Sequence, residues 1–307
     1  MEFLYLLEKI RLPGLNEFML AITTLGEETA LLVIALIFFW CVDKRKGYYI
    51  LTVGLLGTVF NQFVKLLCRV PRPWIKDPNF TILEQAREGA GGFSFPSGHT
   101  QTAVGLFGAV AVTTKRRWLS AISLALAVLV GFSRMYVGVH TPQDVLVGAA
   151  QSVLLLLIMH PLIFSKDGKL IPWTIGGMIV ISAMFLMYVE GLRGDLVGAD
   201  DAAAHNIESG IKNAYTLLGC TAGLLVVWFA DRKLDFATDA VWWAQLIKAG
   251  VGLLLVLAVK EGLRSPLDAM FAGHLAARAV RYFCIVIMAG IVWPLSFKLF
   301  PKKEVVK

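Results

Sequence analysis

The chain has 307 residues, of which 57% are hydrophobic and only 17% are charged. Soluble domains average about 45–50% apolar and about 25% charged residues, so this composition excludes a soluble domain, a disordered chain and a collagen-like fibre. With a mean hydropathy of +0.69, the chain is predicted to be a polytopic membrane protein. The net charge of +7 is not organised into a basic stripe, so no nucleic acid is expected as a partner.

The first residues predict a short helix at the membrane surface. Residues 2–11 place their apolar side chains on one helical face and their charged side chains elsewhere, which is typical of an interfacial helix. Glu2 and Glu8 do not fit the basic segment of a signal peptide, so no cleaved leader is expected. Residues 16–25 fit no single pattern, and we assign residues 1–28 as a whole to interfacial N-terminal helices.

The rest of the chain alternates between apolar runs and short polar segments. A bilayer is crossed by about 20 apolar residues in a helix, and nine runs approach or reach that length. They cover residues 29–42, 48–67, 99–114, 118–138, 143–164, 171–190, 211–230, 243–260 and 280–299. The first run is short for a span, and the eighth contains Lys248, which we expect to snorkel to an interface. The predicted fold class is an all-α, polytopic transmembrane helical bundle of about nine spans.

Basic residues mark one side of this predicted bundle. If the nine spans alternate, five short connections fall on the same side, at residues 43–47, 115–117, 165–169, 231–239 and from 298 onward. Their cations are Lys44, Arg45, Lys46, Lys115, Arg116, Arg117, Lys166, Lys169, Arg232, Lys233, Lys298, Lys302, Lys303 and Lys307. The positive-inside rule makes this side cytoplasmic. The expected location is the cytoplasmic (plasma) membrane, crossed several times.

Three polar clusters lie at the opposite, outward ends of the predicted spans. The first contains Lys65 and Arg72, the second is the tetrapeptide at residues 96–99, and the third runs from residue 133 to 144. Because these ends share one membrane face, we expect the clusters to converge there. They predict one outward-facing polar site.

The residue types in these clusters favour phosphate chemistry. Lys65, Arg72 and Arg134 supply three cations, which match the charge of a phosphoryl group in its transition state. Ser97 and Gly98 stand where the third predicted span begins, so free backbone N–H groups and the helix dipole point at an anion. Gly98 lets the backbone approach closely, and the Ser97 hydroxyl adds a donor.

Two histidines and one aspartate predict nucleophilic catalysis. His140 precedes a Thr-Pro helix start, and Asp144, four residues on, is placed to hold its imidazole N–H. The other ring nitrogen is then free to attack phosphorus. His99 is placed to protonate the leaving oxygen and later to activate water. No cluster of acidic residues has metal-binding spacing, so metal-independent chemistry without a cofactor is expected.

Together the motifs Lys-x6-Arg-Pro, Pro-Ser-Gly-His and Ser-Arg-x5-His-x3-Asp resemble the signature of the type 2 phosphatidic acid phosphatase superfamily. The resemblance covers roughly residues 45–160. It implies a phospho-histidine mechanism with His140 as nucleophile, Asp144 as its partner and His99 as acid and base. The phosphate-binding residues that it implies are Lys65, Arg72, Ser97, Gly98 and Arg134. It also implies a five-helix catalytic core, which we place at residues 29–165. The four apolar runs after residue 165 depart from the minimal family pattern, and we assign residues 166–307 to a C-terminal transmembrane extension.

Several alternatives stay open from sequence. A lipid-phosphate binder or flippase on the same scaffold would need the cations but not the histidines and Asp144. The sequence does not identify the lipid substrate. Four classes carry the phosphate group that the predicted site would bind: isoprenoid diphosphates, phosphatidic acid, phosphatidylglycerophosphate and sphingoid-base phosphates. The extension, with outward loops at residues 191–210 and 261–279, either shapes a headgroup pocket, supports a homodimer or enlarges the bundle. Asn61 and Gln62 either support the site or pack between helices.

Overall fold

The computed structural model describes residues 1–196 and 201–302. Residues 197–200, in the first predicted outward loop, and Lys303 and Lys307, in the predicted basic tail, lie outside the described residues. Within those two ranges there are helices and loops but no strand, which confirms the all-α fold class. The helices are α1 (Glu2–Lys9), α2 (Pro13–Thr24), α3 (Glu28–Cys41), α4 (Lys44–Cys68), α5 (Pro73–Lys76), α6 (Gly98–Thr113), α7 (Arg117–Tyr136), α8 (Pro142–Ile163), α9 (Ile171–Gly191), α10 (Asp201–Leu234), α11 (Trp242–Gly262), α12 (Arg264–Met270) and α13 (Ala276–Ile287).

The number of spans is smaller than the nine predicted. Among the described residues, seven helices are long and apolar enough to cross a bilayer, or eight if α2 and α3, bent by 53° at their junction, form one span. The predicted third span is α6, which has only 16 residues. At about 1.5 Å per residue such a helix is about 24 Å long, which is short of the roughly 30 Å hydrocarbon core. The expectation of nine spans is therefore not confirmed.

Helices also extend into segments that were predicted as loops. α10 has 34 residues, whereas its apolar run covers only residues 211–230, so part of the predicted loop at 191–210 is helical. α12 lies inside the second predicted outward loop, at 261–279. Apolar runs locate only the part of a helix that lies at bilayer depth, and a helix continues into polar surroundings without changing its backbone hydrogen bonds.

Residues 1–32, 50–160 and 191–210 form one compact unit, with α6 at its centre. Most side chains of α6 are buried, and its glycines let the neighbouring helices approach closely. A Cβ added to Gly105 would lie 3.2 Å from Val53 of α4, and one added to Gly108 would lie 2.5 Å from Leu156 of α8. This burial inside protein explains how so short a helix is accommodated.

Residues 33–49, 161–190 and 211–307 form the second unit. Here α10 and α13 meet so closely that a Cβ on Gly219 would lie 2.1 Å from the carbonyl oxygen of Ala279. Lys44 forms an ion pair of 2.7 Å with Asp231. The buried ammonium of Lys248 donates to the carbonyl of Ala237, 3.0 Å away, in the loop before α11. The division of the sequence at residues 28 and 165 stays a prediction.

Candidate active site

A cavity of about 190 Å³ within the first unit brings the three polar clusters together. Each cluster contributes lining residues: the first contributes Lys65 and Arg72, the second Gly98 and His99, and the third His140. The remaining lining residues are Gly26, Glu27, Glu28, Thr58, Asn61, Gln62, Gly89, Gly91, Gln101 and Thr102. The other three residues expected at the site, Ser97, Arg134 and Asp144, are buried and do not line the cavity itself.

His140 lies between α7 and α8, and α8 begins at Pro142, as its sequence predicts. The His140 Nε2 atom is 2.9 Å from Nη1 of Arg72. Its Nδ1 atom is 3.5 Å from Oδ2 of Asp144 and makes no hydrogen bond. The carboxylate is thus adjacent to the imidazole, at a distance beyond a normal hydrogen bond.

Asp144 is held in place by two donors on neighbouring segments. Its Oδ2 accepts hydrogen bonds from the Ser94 hydroxyl at 2.7 Å and from the Thr141 backbone N–H at 2.8 Å. Its own carbonyl accepts from the N–H of Ser97 at 2.9 Å. Asp144 therefore joins the loop before α6 to the start of α8, and so fixes His140 relative to the second cluster.

Arg72 and Lys65 are both anchored to the loop that precedes α6. The Arg72 guanidinium donates to the carbonyls of Gly91, Gly92 and Val139 at 2.8, 3.1 and 3.0 Å. The Lys65 ammonium donates to the carbonyl of Phe93. These carbonyls orient the two cations toward the cavity without neutralising their charge, because carbonyl groups carry no net charge.

Arg134 lies behind the cavity, on α7, with 1% of its surface exposed. Its Nη1 donates to the Thr23 hydroxyl of α2 at 2.6 Å. Its Nε and Nη2 atoms are buried and make no hydrogen bond. Unpaired buried donors cost free energy, and the planar guanidinium fork matches the oxygens of a phosphate. An anion is the ligand that these N–H groups fit.

The second cluster organises the start of α6. The Ser97 hydroxyl accepts hydrogen bonds from the N–H and the hydroxyl of Thr100, at 3.4 and 2.9 Å. It is an N-cap, whereas the sequence suggested a donor to phosphate. Gly98 is the first residue of the helix, and a Cβ added to Gly89 would lie 3.8 Å from His99 Nε2. The loop therefore passes directly over the His99 ring.

Burial and neighbouring charge set the protonation of His140. Its burial, followed by the positive charges of Arg72, Lys65 and Arg134, holds the pKa of His140 well below its usual range. The imidazole is therefore neutral at physiological pH. A neutral ring has a lone pair on one nitrogen, which a nucleophile requires.

Sequence patterns alone did not identify Thr23, Ser94 and residues 26–28 as part of the site. These residues lie outside the three clusters, and no motif marks them. The sequence did not decide whether Asn61 and Gln62 support the site or pack between helices. In the structure both side chains line the cavity. Their position one turn before Lys65 on α4 was the available signal.

Comparisons with known proteins agree with these motifs. Residues 45–167 match the PAP2 superfamily, and residues 215–304 match the family described as "PAP2 superfamily phosphatase, transmembrane extension". The chain is 34% identical over 166 residues to phosphatidylglycerophosphatase B of Bacillus subtilis, which covers 49% of this chain and 76% of that relative. The chain belongs to the PAP2 superfamily. The expected family resemblance is thereby confirmed.

Other relatives of this PAP2 superfamily member match over different lengths. It is 27% identical over 254 residues to sphingosine-1-phosphate phosphatase 1 of Mus musculus, a match that covers 78% of this chain and 57% of that protein. This chain thus spans little more than half the length of that relative. The crystal structure of Aquifex aeolicus LpxE is 30% identical, with 51% of this chain and 92% of that chain covered and a TM-score of 0.45.

Proposed function

We propose that this PAP2 superfamily member is an integral membrane lipid phosphatase that hydrolyses a lipid phosphate or diphosphate through a phospho-histidine at His140. The observation that carries the proposal is the cavity in which a neutral His140, His99 and the cations Lys65 and Arg72 converge. The names of the relatives, which include a sphingosine-1-phosphate phosphatase, a phosphatidylglycerophosphatase and an undecaprenyl-diphosphatase, support this reaction class.

In the proposed reaction, the bound phosphate offsets the charge of Lys65, Arg72 and Arg134, which allows His99 to hold a proton. His140 Nε2 attacks phosphorus while the P–O bond to the lipid breaks, and His99 protonates the leaving oxygen. The nearby Asp144 carboxylate stabilises the imidazolium that forms. Lys65, Arg72 and Arg134 bind the phosphoryl oxygens, and the Gly98 N–H at the start of α6 adds a donor. Water, deprotonated by His99, then displaces His140 and releases inorganic phosphate.

Arg72 has to change partners during this reaction. Its Nη1 now lies 2.9 Å from His140 Nε2, the atom that attacks. A neutral Nε2 accepts that hydrogen bond and cannot attack phosphorus at the same time. An arriving phosphate offers Arg72 a charged acceptor, and charge-assisted hydrogen bonds are roughly twice as strong as neutral ones. Substrate binding thus frees the nucleophile.

The active site is proposed to face the extracytoplasmic side, because the compact basic clusters at residues 44–46 and 115–117 flank the far ends of the helices that carry it. A lipid would then enter sideways from the outer leaflet. The alternative function is a lipid-phosphate binder or flippase on the same scaffold. The presence of His99, His140 and Asp144 beside the cations favours the enzyme, since a binder needs only the cations.

Vanadate is expected to inhibit phosphate release by the purified protein in detergent, whereas EDTA is expected to leave it unchanged. Vanadate adopts five-coordinate geometry, so it can bond to His140 and be held by the same cations as the transition state. Among the described residues, no group of three or more His, Cys, Asp or Glu side chains could hold a metal ion. Activity that EDTA removes and a divalent metal restores would contradict the metal-independent mechanism.

Thr23→Val is expected to lower kcat/KM by about tenfold, because Arg134 loses its hydroxyl acceptor and a hydrogen bond to a charged group contributes about 1.5–3 kcal/mol. Thr23→Ser keeps the hydroxyl and should restore activity. Thr24→Val serves as the matched control, since the Thr24 hydroxyl donates to the Ala21 carbonyl within α2. The vanadate inhibition constant should rise with Thr23→Val alone. Equal constants in all three variants would show that Thr23 does not position Arg134.

A further inference from the structure

One end of the cavity of the proposed active site is lined by polar side chains without charge. Asn61 lies one turn before Lys65 on α4, and Thr58 lies a further turn before Asn61. Gln101 and Thr102 follow the first turn of α6. All of these residues line the cavity. Neutral polar groups neither match the charge of a phosphate nor favour an apolar lipid tail, so this end of the cavity indicates a third ligand.

Asn61 presents an unpaired acceptor. The residue is 1% exposed, and its Nδ2 is directed at the carbonyl of Pro96, 3.5 Å away. A carbonyl only accepts hydrogen bonds, so this contact fixes the amide with its NH₂ toward Pro96. The Oδ1 atom is buried without a hydrogen-bond partner among the described residues. It lies 3.4 Å from the place of a Cβ on Gly98, the residue before His99.

Gln101 presents an unpaired donor. It is also 1% exposed, and its Nε2 is buried with no hydrogen-bond partner in the part of the chain that the structure describes. The amide lies against Gly57 of α4, where an added Cβ would be 2.0 Å from Nε2, so the glycine leaves the room that the amide occupies. Unsatisfied buried polar atoms cost free energy. The ligand that satisfies both residues has to donate one hydrogen bond and accept another.

Water is the ligand that fits both groups. It donates and accepts hydrogen bonds, whereas the oxygens of a phosphate dianion are acceptors. A buried water typically makes about three hydrogen bonds to polar groups that have no other partner. The cavity of about 190 Å³ has room for water beside a phosphoryl group, since a water molecule takes about 30 Å³ in the liquid.

We infer that Asn61 positions the water that hydrolyses the phospho-histidine. This inference rests on the proposed phospho-histidine mechanism and adds a positioning residue to its second step. One O–H of the water donates to Asn61 Oδ1, and the other donates to His99, which gave its own proton to the lipid oxygen in the first step. The water oxygen forms a bond to phosphorus while the P–N bond to His140 Nε2 breaks and its electron pair returns to the ring. The proton passes to His99, and Gln101 holds a second water that refills the site.

The test measures the water step by itself. Purified protein in detergent is given a lipid with radiolabelled phosphate, namely whichever of the four lipid classes the wild type hydrolyses fastest. Phosphate release and the phospho-enzyme trapped by alkaline quenching are both measured at steady state. The rate of release divided by the amount of phospho-enzyme is the rate constant of the water step. This ratio does not depend on the fraction of folded protein, so a variant that folds less well is still informative.

Asn61→Leu removes the oxygen at similar side-chain size, and the ratio should fall about tenfold, the upper range for a lost hydrogen bond. Asn61→Asp keeps an oxygen acceptor, so its ratio should stay within about threefold of the wild type, while KM rises because the carboxylate repels the phosphate. Gln151→Leu is the matched control. Gln151 donates to the carbonyl of Gly57, one turn before Asn61, but does not line the cavity, and this variant should keep the wild-type ratio.

Three outcomes would contradict the inference at different levels. An unchanged ratio in Asn61→Leu, or an equal fall in Asn61→Asp, would overturn the role of Asn61 and leave the phosphatase function standing. Phosphate release without trapped phospho-enzyme in both the wild type and Asn61→Leu would overturn the phospho-histidine mechanism together with the inference. No phosphate release from any of the four lipid classes would overturn the proposed function as well.

Discussion

His140→Ala is expected to abolish phosphate release, lowering kcat by about 10³-fold or more, as loss of a covalent nucleophile does in other enzymes. Without the imidazole no phospho-enzyme forms, and the remaining cations can bind the lipid but cannot transfer its phosphoryl group. The measurement is released phosphate from the purified variant. His160→Ala is the matched control, because His160 is an exposed histidine at the other end of α8 and is expected to be structural.

The same variant separates the enzyme from the lipid-phosphate binder. A binder would retain full function in His140→Ala, since Lys65, Arg72 and Arg134 are untouched. Lipid-phosphate binding should therefore persist in the variant while phosphate release disappears, and its melting temperature in detergent should stay close to that of the wild type. Residual turnover above a few per cent would contradict the phospho-histidine mechanism. Equal turnover in both proteins would mean that the activity comes from elsewhere.

The convergence of the three motifs could be predicted because they lie at the ends of predicted spans on one face. Lys65, Arg72, His99 and His140 line one cavity, as this placement implies. The hydrogen-bond partners of the site residues could not be predicted from the spacing of the motifs. Asp144 accepts hydrogen bonds from Ser94 and Thr141, and this depends on the path of a loop that no periodicity describes.

The contribution of the N-terminal helices to the site was not predictable either. Residues 1–28 look interfacial because their apolar stretches are short, yet Thr23 bonds to Arg134 and Gly26 packs against His99. A Cβ on Gly26 would lie 2.9 Å from the His99 carbonyl oxygen. Such contacts join residues more than 70 positions apart, and no local sequence pattern predicts them.

Hydropathy likewise overcounted the spans because it measures burial away from water and not exposure to lipid. The apolar residues of α6 are buried against α4 and α8. To a hydropathy scale, a core helix of a membrane protein and a lipid-facing span look alike. The length of the helix, which depends on where Ser97 caps it, distinguishes the two.

A cysteine placed in the loop between α5 and α6 is expected to react with an impermeant thiol reagent in intact cells, and one placed at Lys115 only after the membrane is opened. The reason is the cost of translocating the compact basic clusters at residues 44–46 and 115–117, at the ends of α4 and α7 away from the cavity. Glu88 is the suitable loop position, because it is exposed. Thr81 is unsuitable because its hydroxyl bonds to Glu8 and Arg11.

The labelling is done in a background that lacks the four native cysteines, Cys41, Cys68, Cys220 and Cys284. Cys68 matters most, since it is exposed at the end of α4, near the same face as the cavity, and its labelling would add to that of the cysteine placed at Glu88. Retained phosphatase activity in each single-cysteine protein shows that the label reports the folded enzyme. Labelling at Lys115 but not at Glu88 in intact cells would invert the topology. The cavity would then open toward the cytoplasm, and its lipid would come from the inner leaflet.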